Sequence, residues 1–204
     1  MPHTLCVSQA SAARPRPHDA DSLLRVAVAV FNERGYDGAR MTDLAQAAGI
    51  TKSAIYHHVR SKEELLRLGL ERALGGIFAV LEEPAAREGP AILRLRHVLR
   101  RTTEVLVAEL PYVTLLLRVR GNTATERWAL EQRRTFDARV AALVAEAADD
   151  GALRSDVDPR LATRLLFGMV NSIVEWHRPG PGRAAAPIAA AVEALAVDGL
   201  SRRA

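Results

Sequence analysis

Cysteine is almost absent. The 204-residue chain has one, Cys6, so no internal disulfide can form, and in an irregular tail this thiol has nothing to build a reactive site with. Long apolar runs are missing as well. No stretch of about 18 consecutive apolar residues occurs, and no charged segment followed by an apolar core opens the chain, so the expectation is a cytoplasmic protein with no membrane partner. Catalytic signatures are equally scarce: there is no HExxH, no glycine-rich phosphate loop, no GxSxG and no cysteine–histidine pair. Glu104, Glu109 and Glu175 are scattered carboxylates without a placeable partner. His57 and His58 are adjacent, hence about 100° apart on a helix, and do not make a metal pair. The expectation is therefore a non-enzyme with no metal and no cofactor.

What is present is an ordinary globular composition, 49% hydrophobic and 25% charged, suited to one or two soluble domains. Of the net charge of +4, most sits in one short window. Between positions 40 and 62 stand Arg40, Lys52, Arg60 and Lys62 against Asp43 alone. Positive charge gathered in one place is the electrostatic footprint of phosphate binding, or else a solvated face.

Residues 1–18, rich in proline, serine and alanine, read as a disordered basic tail whose Arg14, Arg16 and His18 either touch DNA or stay in solvent. Asp19 or Asp21 caps a first helix carrying Leu23, Leu24, Ala27, Val30 and Phe31 on one face, and Gly35 ends it. The sequence then predicts a helix over 42–48 capped by Thr42, a turn at Gly49, and a helix over 52–59 capped by Thr51. Small Ala45, Gly49 in the turn and branched Ile55 fall at the offsets a helix-turn-helix crossing needs. Lys52, Ser53, Ala54, Tyr56 and His57 are left to point outward, while His58 is expected to pack against the first or fourth helix.

Further on, Ser61 and Glu64 form a capping box for a helix over 62–81, and Gly89–Pro90 marks the loop after it. An amphipathic helix over 91–109, a kink at Pro111 and a short apolar helix to Arg120 border either a cavity or plain packing. Thr123 and Glu126 open a long helix closed by Gly151, and Asp156 or Asp158 opens the next. The segment 160–177 has almost no polar face and must be buried all round, one side against its own subunit and the other against a partner. Gly168, Ser172, Val174 and Trp176 from it, with Ile188, Val192 and Leu195 of the last helix, make the expected homodimer face. Asn171 is an amide inside this apolar helix, and leaving it unpaired would cost about 1–3 kcal/mol, so a partner is expected.

The runs Phe31–Tyr36, Met41–Ile50 (MTDLAQAAGI), Ser53–Val59 (SAIYHHV) and Ser61–Leu65 (SKEEL) resemble the TetR family of bacterial transcriptional repressors. The resemblance implies an all-α chain of about nine helices. It implies an N-terminal three-helix helix-turn-helix DNA-binding domain over 19–66 and a helical ligand-binding and dimerisation domain over 67–204. Carried over by position, Thr42, Lys52, Tyr56, His57 and Lys62 fall on DNA backbone, and Ser53 and Ala54 on bases, with Thr51 completing the DNA-facing set. The chemistry agrees: lysines displace phosphate counterions, hydroxyls donate to phosphate oxygens, and short side chains admit the helix to base edges. Relatives often carry Gly and Thr at positions 53 and 54, and Phe at 59, departures that bear on which operator is read.

A second stretch, Leu166–Asn171 through Trp176–Gly180, resembles the ending of TetR-type regulators that sense acyl-CoA thioesters. That ranks an acyl-CoA first among small-molecule inducers. Phe78, Leu116, Trp128, Phe167 and Met169, with Asn171, are the candidates for an acyl slot. Arg118, Arg120 and Arg178 are the candidates for the phosphates, the alternative being core aromatics and solvated arginines. The expected partners are double-stranded operator DNA, an inducer and a second copy of the chain. The expected act is repression from a palindromic operator, with the recognition helices of a dimer about 34 Å apart. A DNA-binding regulator with no small ligand, or an enzyme acting on an acyl-CoA, are the alternatives.

Overall fold

The computed structural model describes residues 20–180 and 184–201. The expected tail, with Cys6, Arg14, Arg16 and His18, and the Asp19 cap lie outside the described residues. Among those described, the chain is helical throughout, with one isolated antiparallel bridge, Leu153 to Ser201, and no strand. Eleven helical segments follow one another among the described residues, two of them single turns of four residues.

The N-terminal unit is α1 (Ala20–Arg34), α2 (Met41–Ala48) and α3 (Lys52–Tyr56). The buried face of α1 is Leu23, Leu24, Ala27, Val28, Val30 and Phe31, the helical stripe legible in the sequence. Asp21 sits in its first turn, pairing with Arg25 and with Arg72. The start of α2 differs from expectation: the helix begins one residue earlier, so Thr42 is inside its first turn and exposed. Asp43 accepts the Arg40 amide at 2.8 Å and pairs with Arg34 at 3.0 Å, which ties the end of α1 to the start of α2.

The long helix α4 (Lys62–Glu82) leaves the N-terminal unit and enters the rest of the chain. Ser61 caps it by accepting the Glu64 amide at 3.1 Å. Its middle crosses α1 and α7 (Leu110–Arg118) at Gly69, where an added Cβ would stand 3.1 Å from both Val28 and Leu115 side-chain carbons. A methyl group there would make both side chains give by a few tenths of an ångström, so glycine suits the close approach. The single turn α5 (Pro84–Arg87) leads into α6 (Ala91–Ala108), and Thr123 and Glu126 cap each other at the start of α8 (Ala124–Asp149).

Asp158 caps α9 (Pro159–Asn171) by accepting the Leu161 amide at 2.9 Å. The sequence-predicted helix over 160–177 is not continuous: Ser172 breaks it, its hydroxyl donating to the Met169 carbonyl at 2.7 Å, and the single turn α10 (Ile173–Trp176) follows. Within one subunit the face carrying Ala162, Thr163, Leu166, Phe167 and Val170 meets the subunit's own core, and the opposite face, with Leu161 and Leu165, is exposed, the side expected to meet a partner. The last helix, α11 (Ala185–Leu200), packs chiefly along α6.

Candidate DNA interface and ligand cavity

The turn between α2 and α3 works because Gly49 takes a left-handed φ of 65°, letting Ile50 donate to the Ala45 carbonyl at 3.0 Å. Ala45 and Ile55 are buried at the crossing, as their offsets require. With Ile55 plugged inward, Lys52, Ser53, Tyr56 and His57 are exposed on α3 and Ala54 is half-buried. Tyr56 is 47% exposed, much for an aromatic with no ligand upon it. The Thr51 hydroxyl accepts the Ala54 amide at 3.2 Å and lies 3.0 Å from the Ser53 hydroxyl, so it is engaged in capping α3. That helix stops at Tyr56, three residues short of the predicted end; Val59 is buried, and His58 is exposed rather than packed.

Lys62 has a different task from the one its position suggests. Its ammonium donates to the backbone carbonyls of Tyr36 and Ala39, at 2.8 and 2.9 Å, and lies 4.2 Å from the Tyr36 ring centre. It fastens the loop between α1 and α2 onto the start of α4. Burial, helped by Glu63, pushes the Tyr36 phenol up to about 12, which keeps that ring neutral beneath the cation.

In the larger unit, a cavity of about 340 Å³ lies among α4, α6, α7, α8 and α9. Ile77, Leu106, Val113, Leu116, Phe136 and Phe167 make its apolar wall. Its polar groups are Thr102, Arg133, Asp137, Arg164 and Asn171. Asp137, Arg164 and Gly168 are exposed and mark the mouth, while Thr102 and Leu106 are buried and mark the floor. Arg133 makes one long hydrogen bond, 3.5 Å to the Leu116 carbonyl. Among the described residues neither Arg133 nor Arg164 has a carboxylate within salt-bridge distance. Desolvation lowers the Arg133 pKa and raises that of Asp137, against the pull of the charge each offers the other. Asp137 is reachable from the mouth and still desolvated, since protein encloses its other sides. Such a site holds two cations and one carboxylate, an excess of positive charge, beside an apolar volume.

The sequence-predicted pocket residues divide. Leu116, Phe167 and Asn171 line this cavity. Phe78 stands one ring behind it, edge-on to Phe136, which in turn meets Phe167. Trp128 lies under the Arg67 guanidinium, 3.3 Å from ring centre. Met169 faces an outer groove with Leu165 and Leu195. Arg118 bonds the Asn32 carbonyl, Arg120 lines the junction between the N-terminal unit and the rest, and Arg178 donates to the Glu175 and His177 carbonyls. Thus the cations at the cavity are Arg133 and Arg164, which sequence reasoning missed. A signal for Arg133 exists: Ala129, Arg133, Phe136 and Val140 share one stripe of α8, and a cation on a buried stripe needs an explanation.

On the outward face, Gly168, Ser172, Trp176 and Leu195 are exposed, and Val174 and Ile188 are half-buried. Val192 is buried inside the subunit, where α11 meets α6, and is core rather than surface. Gly168 has nothing within 4 Å of a would-be Cβ and contributes to the cavity mouth. The Asn171 side chain forms no hydrogen bond with a described residue, which leaves a ligand or a second subunit as the partner expected for it.

Besides α4, which runs from Lys62 past the cavity-lining Ile77, α7 connects cavity and DNA unit. Val113, Leu116 and Leu117 of α7 line the cavity, while the ends of α7 hold α1: Asn32 donates to the Pro111 carbonyl at 2.8 Å and Arg118 to the Asn32 carbonyl. Asn122 to Asp37 at 2.9 Å and Thr125 to Glu63 at 2.7 Å add to the junction.

No described helix is long and apolar enough to cross a membrane, and no cluster of three or more potential metal ligands occurs among the described residues. Residues 23–68 match the bacterial regulatory proteins of the tetR family, and residues 88–200 match the tetracyclin repressor-like C-terminal domain. The chain is 61% identical to SCO3833, a TetR transcriptional regulator family member from Streptomyces coelicolor A3, covering 88% of this chain and 91% of that one with a TM-score of 0.83. It is 29% identical over 182 residues to the HTH-type transcriptional repressor KstR2 of Rhodococcus jostii, covering 88% and 89% of the two chains. AibR, solved with isovaleryl coenzyme A and operator DNA, is 23% identical over 86% of this chain and 96% of its own, with a TM-score of 0.72, a likeness of fold alone. The exposed recognition helix, the all-helical architecture and these matches over both halves agree: the chain belongs to the TetR family of helix-turn-helix transcriptional regulators.

Proposed function

We propose that two copies of this protein repress from a palindromic operator in the cytoplasm and leave it when an acyl thioester of coenzyme A enters the cavity. The observation that carries the ligand reading is the cavity itself, an apolar volume whose two arginines face a single carboxylate, Asp137, with neither in salt-bridge contact with it. At about 340 Å³ it is at the small end of ligand pockets and suits an acyl group, leaving the phosphates at the mouth near Arg164 and Arg133. AibR, with isovaleryl coenzyme A bound, is a precedent for such a ligand on this fold. A regulator with no small ligand would have a side-chain-filled core, and the open cavity counts against that alternative.

Dimerisation is supported by the outward face of α9 and α11. Leu165 and Leu195 are 63% and 69% exposed there, and clustered apolar exposure of this kind marks an interface. Such a pairing sets two copies of α3 about 34 Å apart, one turn of B-DNA. For DNA contact, Lys52, Tyr56 and Thr42 serve phosphate, and Ser53 and Ala54 the bases, with His57 beside them. Lys62 and Thr51 act from behind, by holding α4 and α3 in place. Switching needs a ligand that prefers the DNA-incompetent arrangement, and α7, touching both cavity and α1, is the element through which that preference acts.

The test is fluorescence anisotropy of the chain's own upstream duplex against a scrambled duplex at physiological salt, followed by titration with coenzyme A thioesters. Equal affinity for both duplexes would refute specific operator binding. Operator retention at saturating thioester would refute induction.

A further inference from the structure

Four threonines inside helices bend their hydroxyls back onto the carbonyl four residues earlier: Thr103 onto Leu99 at 2.8 Å, Thr114 onto Leu110 at 2.7 Å, Thr135 onto Glu131 at 3.1 Å and Thr163 onto Pro159 at 2.8 Å. Thr102 makes no such bond. It lies on the buried stripe of α6, is 4% exposed, lines the cavity floor, and its hydroxyl has no partner. A hydroxyl in an apolar wall with nothing to bond loses its hydration for no return. The half-buried Asn171 also lines the cavity, and its side chain makes no hydrogen bond within the described protein.

From this we infer that the inducer is an oxygenated acyl thioester, one carrying a keto or hydroxyl oxygen in the acyl group, away from the thioester, and that Thr102 is the residue selecting it. The inference rests on the coenzyme A reading of this cavity and sharpens it. The floor position of Thr102 separates its hydroxyl from the cations near the mouth, so the oxygen it meets is remote from the phosphates. A hydroxyl both donates and accepts, so a ketone and an alcohol both satisfy it, with the Asn171 amide available to the same oxygen. A plain alkyl chain fills the same volume but strands the Thr102 hydroxyl against methylenes. Sites built around a hydrogen-bonding group reject ligands lacking its counterpart.

The experiment is isothermal titration calorimetry of the full-length protein with hexanoyl-CoA, 3-hydroxyhexanoyl-CoA, 5-oxohexanoyl-CoA and 6-hydroxyhexanoyl-CoA, which differ by one oxygen. At least one oxygenated thioester should bind between about fivefold and a hundredfold more tightly than hexanoyl-CoA, the range one buried hydrogen bond commands. Thr102→Val should bring that thioester down to the level of hexanoyl-CoA, while Thr102→Ser, which keeps the hydroxyl, should preserve the ranking. If hexanoyl-CoA binds as well as every oxygenated probe, or if Thr102→Val leaves the ranking unchanged, the assignment of Thr102 fails while the coenzyme A site stands. If no thioester binds, the coenzyme A reading fails and takes this inference with it. Should Thr102→Val fold poorly, the wild-type ranking decides the preference for an oxygenated acyl group, and Thr102→Ala takes the place of Thr102→Val in deciding the role of the hydroxyl.

Discussion

Replacing Arg133 by methionine should move stability and ligand response in opposite directions. In the free protein the Arg133 guanidinium sits at the cavity with only a 3.5 Å contact to the Leu116 carbonyl, and desolvation lowers its pKa. A charge held without a partner lowers stability, and an apolar residue of similar length removes that handicap; exchanges of this kind for buried ion pairs are neutral or stabilising, and about 1 kcal/mol is the gain expected at this half-buried position. For a chain of this size that raises the melting temperature by about 2–4 °C. The bound state reverses the sign. A charge-assisted hydrogen bond to a phosphate or thioester oxygen is worth about 1.5–3 kcal/mol, so the variant should bind a coenzyme A thioester about 10- to 150-fold more weakly. The assay is thermal denaturation with and without ligand. At a concentration 100 times the wild-type dissociation constant, the wild type gains about 2.7 kcal/mol, and a variant weakened about 30-fold gains under about 1 kcal/mol. A variant that melts below the wild type without ligand would show that Arg133 holds the helices together. An undiminished ligand shift would show that the guanidinium does not touch the inducer.

Four other outcomes are expected. Lys52→Ala should weaken operator binding and flatten the slope of log affinity against log salt by about 1.8 per dimer, two phosphates at about 0.9 each; an unchanged slope would remove Lys52 from the phosphate contacts. Leu165→Glu and Leu195→Glu place charge on the exposed apolar face of α9 and α11 and should give monomers in sedimentation velocity, whereas an intact dimer would relocate the interface. Asn32→Ala removes the hydrogen bond to the Pro111 carbonyl. The free protein should still bind thioester as the wild type does while operator release by ligand is blunted, and normal release would exclude this junction from the switch. Asp137 titrates with a raised pKa because burial outweighs its attraction to Arg133 and Arg164. The folded state therefore binds its proton more readily than the unfolded state, so the ionised carboxyl lowers stability at neutral pH and the loss is recovered as pH falls toward the unfolded value of about 3.9. Asp137→Asn should accordingly melt higher than wild type at pH 7, with the difference narrowing on acidification in paired melting curves; a widening difference contradicts the sign.

Local chemistry was legible in the sequence and long-range filling was not. Thr51, Ser61, Thr123 and Asp158 cap helices because each reaches an amide three residues on, and the Ala45, Gly49 and Ile55 offsets define a crossing between neighbouring helices. Lys62 differs because its partners are carbonyls of the Tyr36–Ala39 loop, more than twenty residues away, and only the tertiary path brings them under its ammonium. Phe78 and Trp128 show the same limit from the apolar side. An aromatic on a buried stripe lines a void or meets another side chain according to what a third helix places opposite, and here Phe136 and Arg67 occupy those positions.

Polar residues on apolar stripes carry more information about a cavity than the apolar residues around them. Leu95, Val98, Thr102 and Leu106 share a face of α6, and Ala129, Arg133, Phe136 and Val140 a face of α8. A filled core would repel Thr102 and Arg133 from those positions unless each found a partner within the protein. Neither finds a good one, and both meet the same open volume together with Asn171. Three polar groups from three separate helices converge on one volume, the Thr102 hydroxyl without any partner, Arg133 with one long hydrogen bond and the Asn171 side chain with none inside the protein, and a bound polar ligand explains all three together.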